Sequence, residues 1–247
     1  MQDELVRTER KEFLLMRETG HIAEHVEAVR KKIETACARS GRDPHDVRLI
    51  AVSKTKPVGD MQEAYAAGCR EFGENYVQEI LEKYGQLPAD AKIHMIGHLQ
   101  TNKVGKIIGK TALIHAVDSL HLAEAIEKQA AKHLQQPIPV LLEVNAAQEE
   151  SKFGFFLDEV ETAVRTIRET CPHVKVDGLM TSAPYTLDPE SNRIYFRKLK
   201  EAAEANGLKE LSMGMTGDYE VAVEEGATLV RVGTAIFGAR NYGAKEV

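Results

Sequence analysis

At 247 residues the chain is long enough for one large α/β barrel, and its net charge of −6 with a pI near 5.9 excludes a surface built to neutralise a nucleic-acid backbone. Hydrophobic residues make up 43% and charged residues 28%, and no apolar run approaches the ~18 residues of a membrane span, so neither a bilayer protein nor a disordered one is expected. Cys37, Cys69 and Cys171 lie far apart with no CxxC, which suits a reduced compartment and small buried thiols rather than a disulfide framework.

Residues 1–20 hold only a short apolar run at 13–16 among many acids, unlike a secretory signal or a transit peptide, so the expected address is the cytoplasm and the expected state of this stretch is loosely ordered. Ile22, Val26, Val29, Ile33 and Cys37 then recur at helical spacing and predict a helix over 20–39. From there a rhythm begins. Short β-prone runs at 47–53, 71–73, 93–97, 113–117, 139–145, 174–180, 208–212 and 228–233 alternate with helical patterns at 59–67, 76–84, 120–133, 159–169, 192–205 and 219–225. Strands alternating with helices imply parallel strands with right-handed crossovers, and eight of them select a closed (β/α)8 TIM barrel over an open doubly wound sheet. No Pro/Gly/Ser linker interrupts the pattern, so residues 1–247 are read as a single domain.

In such barrels the active site lies at the C-terminal ends of the strands, and the loops after strands 7 and 8 often hold a phosphate. The first of these reads LSMGMTGD at residues 211–218, offering Ser212 and Thr216 hydroxyls beside Gly214 and Gly217. The second reads RVGTAIFG at 231–238, where Gly233 permits close backbone approach and Thr234 opens a helix whose free N–H groups favour an anion. Closing the barrel sets strand 1 beside strand 8. Strand 1 ends LIAVSKTKP at 49–57, so Lys54 stands next to the phosphate cradle, where partial burial favours its neutral, nucleophilic form. An amine beside a phosphate site suggests pyridoxal 5′-phosphate. Ile50, Val52, Lys54 and Lys56 share one strand face, so parity does not separate the two lysines, although Lys56 precedes Pro57 and falls beyond the strand. Arg231, two residues before Gly233, is placed to meet the pyridine nitrogen of a phosphate-anchored cofactor.

Other features carry less. His94 and His98 in HMIGH sit on a strand and its loop and read as satisfied polar groups, not metal ligands. Lys103, Lys106 and Lys110 read as a solvated helix face, with a second anion site as the alternative.

These residues match a known pattern. LIAVSKTKP, FGENYVQE (72–79), HMIGHLQTNK (94–103), EVNAAQEESKFG (143–154), GLMTSAP (178–184) and the run LSMGMTGDYEVAVEEGATLVRVGTAIFG (211–238) cover nearly the whole chain, which resembles the pyridoxal phosphate homeostasis proteins, themselves similar to the N-terminal barrel of alanine racemase. The resemblance implies a fold-type III barrel carrying pyridoxal 5′-phosphate as a Schiff base on Lys54, with Ser212, Gly233 and Thr234 on the phosphate, Thr216 as a further candidate, Arg231 at the ring nitrogen and Asn75 nearby. Ile93 stands where the family often has Trp, and Thr216 where it often has Ser.

The implied role is intracellular vitamin B6 homeostasis: a carrier that buffers or delivers the cofactor, with apo-enzymes that depend on it as candidate recipients, without efficient catalysis of its own, and the expected state is a monomer. The alternative is a fold-type III enzyme such as an amino-acid racemase. Against it, alanine racemase draws a catalytic tyrosine from a second domain, and this sequence runs only nine residues beyond Gly238. A cofactor-free Schiff-base aldolase is the third class.

Overall fold

The computed structural model describes residues 21–149 and 152–239, so the expectation for the first twenty residues lies outside the described region. Helix α1 (His21–Ser40) forms where Ile22, Val26, Val29, Ile33, Ala36 and Cys37 line one face, and that face is buried. The chain then alternates: β1 (Arg48–Val52), α2 (Val58–Ala66), β2 (Glu71–Glu74), α3 (Val77–Lys83), β3 (Lys92–Met95), α4 (Val104–Ile107), β4 (Leu113–Val117), α5 (Leu120–His133), β5 (Ile138–Glu143), α6 (Val160–Thr170), β6 (Val174–Met180), α7 (Arg193–Ala205), β7 (Glu210–Met215), α8 (Tyr219–Glu224), β8 (Leu229–Val232) and α9 (Thr234–Phe237). The eight strands pair in sequence order into a closed parallel barrel, as the rhythm of the sequence predicts.

The last helix, α9, is a single turn, too short to cover the barrel. Helix α1 takes its place, packing against α8, α9 and α2, with the His25 ring 2.9 Å from the Ile236 carbonyl and Arg39 paired to Glu224 at 2.6 Å. Two apolar clusters result. One lies between strands and helices and includes Phe72, Ile80 and Phe196, each fully buried and worth about 1.5–3 kcal/mol. The other fills the barrel from within: Ile50, Leu113, Ala116, Leu141, Met180 and Leu229. The three cysteines are free and buried, and burial raises each thiol above its ordinary value.

The lysine run 103–110 departs from expectation. Only Val104–Ile107 is α-helical, so Lys103 and Lys110 flank a short turn of helix instead of sharing a continuous face. Strand 7 departs in a way that matters more. The glycines at 214 and 217 suggest a strand ending at Ser212, but β7 runs on to Met215, with a bulge against β8 between Ser212 and Met215 and Gly214 at φ 88°. Gly214 serves a close approach: a Cβ there would come within 2.8 Å of the Tyr219 backbone.

Candidate cofactor site at the barrel mouth

Strands β1 and β8 close the barrel in the register Ile50↔Arg231 and Ala51↔Val232, which sets Lys54 and Gly233 at adjacent strand ends. A cavity of about 770 Å³ opens there, and its lining brings together Lys54, Asn75, Thr216, Arg231, Gly233 and Thr234 from β1, β2, β7 and β8. Six of the seven residues singled out from the sequence thus share one chamber.

Ser212 is the exception and is corrected. Because β7 continues three residues past it, Ser212 sits a layer below the mouth, fully buried, and does not line the cavity. Its Oγ lies 2.6 Å from Arg231 Nη1 and 2.8 Å from His115 Nδ1. It contacts the arginine from beneath, outside the cavity lining. The hydroxyl at the loop is Thr216, whose Oγ1 accepts the Gly233 N–H at 3.3 Å and so joins the two loops expected to cradle an anion. Asp218 braces the same loop, accepting from Met215 N at 2.7 Å and from Asn192 Nδ2 at 2.8 Å.

The two lysines of strand 1 separate clearly. Lys56 Nζ donates to the carbonyls of Phe237 at 2.7 Å and Ala239 at 3.2 Å, so its amine ties down the chain after α9. Lys54 follows Val52 into the cavity from a turn whose next residue, Thr55, has φ 61°. That left-handed conformation is costly for a β-branched residue and needs outside support. A buried cluster supplies it. Lys83 Nζ, 5% exposed, donates to Ser53 O at 2.9 Å, Glu74 Oε1 at 2.9 Å and Glu79 Oε2 at 2.6 Å. Ser53 Oγ donates to Glu74 Oε1 at 2.6 Å, and Thr55 N to Glu79 Oε2 at 2.8 Å. Burial pushes the Glu74 carboxyl up to about 7, against the pull of Ser53 and Lys83. Burial also opposes ionisation of Glu79, but Lys83 and the Thr55 N–H outweigh it and hold this carboxyl below its ordinary value.

Arg231 is 4% exposed. Nη2 donates to Thr181 O at 2.8 Å, and burial lowers the guanidinium to about 10, partly offset by Asp218 and Glu143. It therefore remains a cation at neutral pH. Glu143, two residues beyond the interior Leu141, is raised to about 7 by burial and by nearby Asp118, with Arg231 and Lys152 pulling it down. On the far rim Lys152 donates to Ser182 O at 3.1 Å and pairs with Glu149 at 2.6 Å.

Sequence reasoning did not single out Glu143, Asp218 or the Glu74–Lys83 pair. Parity offered a signal for Glu143, which follows Leu141 on the inward face of β5. His98 pairs with Asp118 at 2.8 Å and stacks on Phe153 at 4.4 Å between ring centroids. Among the described residues no His/Cys/Asp/Glu group is arranged to hold a metal ion, and no helix is long and apolar enough to cross a membrane.

The chamber suits an aldehyde-bearing phosphate ester with an aromatic ring nitrogen. It offers an amine, a loop pair rich in N–H and hydroxyl donors, and a buried cation to which no carboxylate among the described residues is hydrogen-bonded. Asn75 Oδ1, buried and without a hydrogen-bond partner, marks a polar position that a ligand would satisfy.

Comparison with known proteins agrees with this chemistry. The family described as "Alanine racemase, N-terminal domain" matches residues 25–241. The Pyridoxal phosphate homeostasis protein of Aquifex aeolicus is 45% identical over 227 residues, covering 89% of this chain and 98% of the relative. Among solved structures, PipY of Synechococcus elongatus PCC7942 with PLP bound is 35% identical, with a TM-score of 0.74 over 88% of this chain and 100% of that one. Alanine racemase from Corynebacterium glutamicum, at 16% identity and a TM-score of 0.68 over 92% of this chain and 63% of that one, shares the fold.

Proposed function

The chain belongs to the pyridoxal phosphate homeostasis protein family, and from that premise we propose that it binds pyridoxal 5′-phosphate at the barrel mouth through Lys54 and serves to buffer or deliver the cofactor. The observation that carries the proposal is the convergence of Lys54, the Thr216–Gly233 loop pair and buried Arg231 on one chamber. The bound group would supply an electrophilic aldehyde able to condense with an amine.

The chain's own residues fall into distinct roles. Lys54 offers the amine on a turn fixed by Lys83, Glu74 and Glu79. Thr216, Thr234 and the backbone around Gly217 and Gly233 would hold the phosphate. Asn75 would lie near the cofactor, and Arg231 would face the ring nitrogen. A guanidinium that stays charged at neutral pH disfavours a second positive charge beside it, so the ring would be a weak electron sink. That supports storage and transfer over catalysis, as do relatives whose names speak of homeostasis and not of a reaction. The proposed setting is the cytoplasm, with the protein a single-domain monomer and apo-enzymes as recipients.

The test is absorbance of the purified protein, then borohydride reduction and peptide mapping. Label on Lys54 is expected, with transfer of cofactor to an apo-enzyme and at most trace racemisation of alanine. Label confined to Lys56 or Lys103, or robust turnover abolished by Lys54→Ala, would overturn the carrier proposal.

A further inference from the structure

Barrel interiors of this kind are filled by branched apolar side chains in layers. Here a line of polar groups runs beside the apolar cluster of Ile50, Leu113, Ala116, Leu141, Met180 and Leu229. Arg231 Nη1 lies 2.6 Å from Ser212 Oγ, Ser212 Oγ 2.8 Å from His115 Nδ1, and His115 Nε2 2.9 Å from His94 Nδ1. His94 Nε2 then stands 3.5 Å from Glu71 Oε2, and neither of these two buried atoms has a hydrogen-bond partner among the described residues. The side chains come from β8, β7, β4, β3 and β2 and are 0–9% exposed. Together they run from the cofactor chamber to the lower face, where Arg48 and Lys92 flank Glu71 at 3.6 and 3.7 Å and Arg48 also pairs with Glu210 at 2.8 Å.

The direction of donation follows from the groups themselves. A guanidinium has donors only, so Ser212 Oγ accepts from Arg231, and His115 Nδ1 is the acceptor within reach of the Ser212 hydrogen. With Nδ1 accepting, neutral His115 carries its proton on Nε2 and donates to His94 Nδ1. His94 in turn carries its proton on Nε2, on the side where Glu71 Oε2 stands at 3.5 Å. Reversing either ring would set two donors or two acceptors face to face at about 2.9 Å. Adding a proton to either ring has the same effect.

We propose that His94, His115 and Ser212, with Glu71 beyond their lower end, form a hydrogen-bonded file of fixed polarity that positions Arg231 for the cofactor ring, a role that rests on the cofactor site argued above. These are positioning residues; none but Arg231 lines the chamber. The titration of the two rings agrees with imidazoles that stay neutral. His94 is lowered to about 3 by burial, with Arg48 and Lys92 adding to the effect, and His115 falls well below its ordinary value through burial, then His94, Arg231 and Arg48. At the upper end Asp218 and Glu143 are the carboxylates that favour the Arg231 cation. The polar column replaces apolar packing that would have cost no desolvation, and what it supplies is a defined direction for the guanidinium.

Two measurements test the file. In histidine-selective 15N NMR of the full chain, with and without pyridoxal phosphate, His94 and His115 should both be neutral Nε2–H tautomers with no titration between about pH 5 and pH 8. In the loaded protein, His115→Leu should shift the pH midpoint of the bound cofactor's absorbance and lower its affinity about fivefold, the usual effect of losing one buried hydrogen bond. His115→Gln, whose amide can accept from Ser212 and donate to His94, should stay close to wild type. An Nδ1–H tautomer or ordinary titration at either ring would overturn the file, as would a folded, loaded His115→Leu protein with wild-type affinity and midpoint. A wild-type chain that takes up no cofactor would instead overturn the reading of the chamber, so the two failures are told apart.

Discussion

Lys83 Nζ donates to the carbonyl of Ser53 at 2.9 Å, so a helix residue buried behind the sheet fixes the turn that presents Lys54. Lys83→Met would leave Glu74, itself 0% exposed, without its cation, and removing one partner of a buried pair costs about 3–5 kcal/mol. The melting temperature should fall by roughly 10 °C for a chain of this size. The fall should be larger at pH 8 than at pH 6, because a protonated Glu74 no longer needs the ammonium. Borohydride labelling of Lys54 should drop in parallel. Unchanged melting together with unchanged labelling would remove the clamp from the account.

The two strand 1 lysines should respond differently to removal. Lys54→Ala is expected to abolish the reducible link while retaining some phosphate-anchored cofactor. Lys56→Met removes hydrogen bonds to the Phe237 and Ala239 carbonyls, so labelling at Lys54 should persist with a modest loss of stability, about 1–3 kcal/mol. Mass spectrometry of reduced peptides from both variants decides the point; loss of label in Lys56→Met with Lys54 intact would reverse the assignment.

Thr216 and Ser212 should part in their effects. Thr216→Val deletes the loop hydroxyl and should weaken cofactor binding about tenfold, consistent with a hydrogen bond to a charged group worth ~1.5–3 kcal/mol. Thr234→Val should act in the same direction. Ser212→Ala leaves the phosphate contacts in place and frees Arg231, so it should alter the cofactor's spectrum more than its phosphate-dependent affinity. Equal binding by Thr216→Val, Thr234→Val and wild type would show that the phosphate is held elsewhere.

Glu143 gives a pH prediction with a definite sign. Its folded-state value of about 7 lies above the ordinary 4.5, so the folded protein holds this proton more tightly than the unfolded chain. The stabilising contribution is complete below about pH 4.5 and is lost as pH rises through 7. Glu143→Gln should therefore raise stability at pH 8 by up to about 3 kcal/mol and change it little at pH 4.5. Denaturant titrations at the two pH values check this, and a larger gain at the acidic value would contradict it.

The alternation of strand and helix was legible because each β-run is short, apolar and bounded by polar turns, and a barrel follows from their number. Positions at strand ends followed from parity and closure, which is why Lys54, Arg231 and Gly233 fall where expected. The end of β7 did not follow. Glycine reads as a turn signal, yet Gly214 lies within the strand because the neighbouring Tyr219 backbone leaves no space for a Cβ. His115 was hidden within LIHAV, a run whose composition reads as plain barrel packing. The Lys83 clamp was hidden for a different reason: a buried ammonium is indistinguishable in sequence from a solvated one, and only the convergence of Ser53, Glu74 and Glu79 explains it.

The seam between β1 and β8 has a temporal consequence. Lys54 and Gly233 sit side by side in space but are separated by most of the chain, so a ribosome adding ~5–20 residues per second makes the second roughly 10–35 s after the first. A nascent chain long enough to expose the lysine still lacks both the phosphate loop and the arginine. On the proposed assignment, a half-made barrel offers an aldehyde an amine but neither anchor, so firm retention of the cofactor would require that the last strand has arrived and docked.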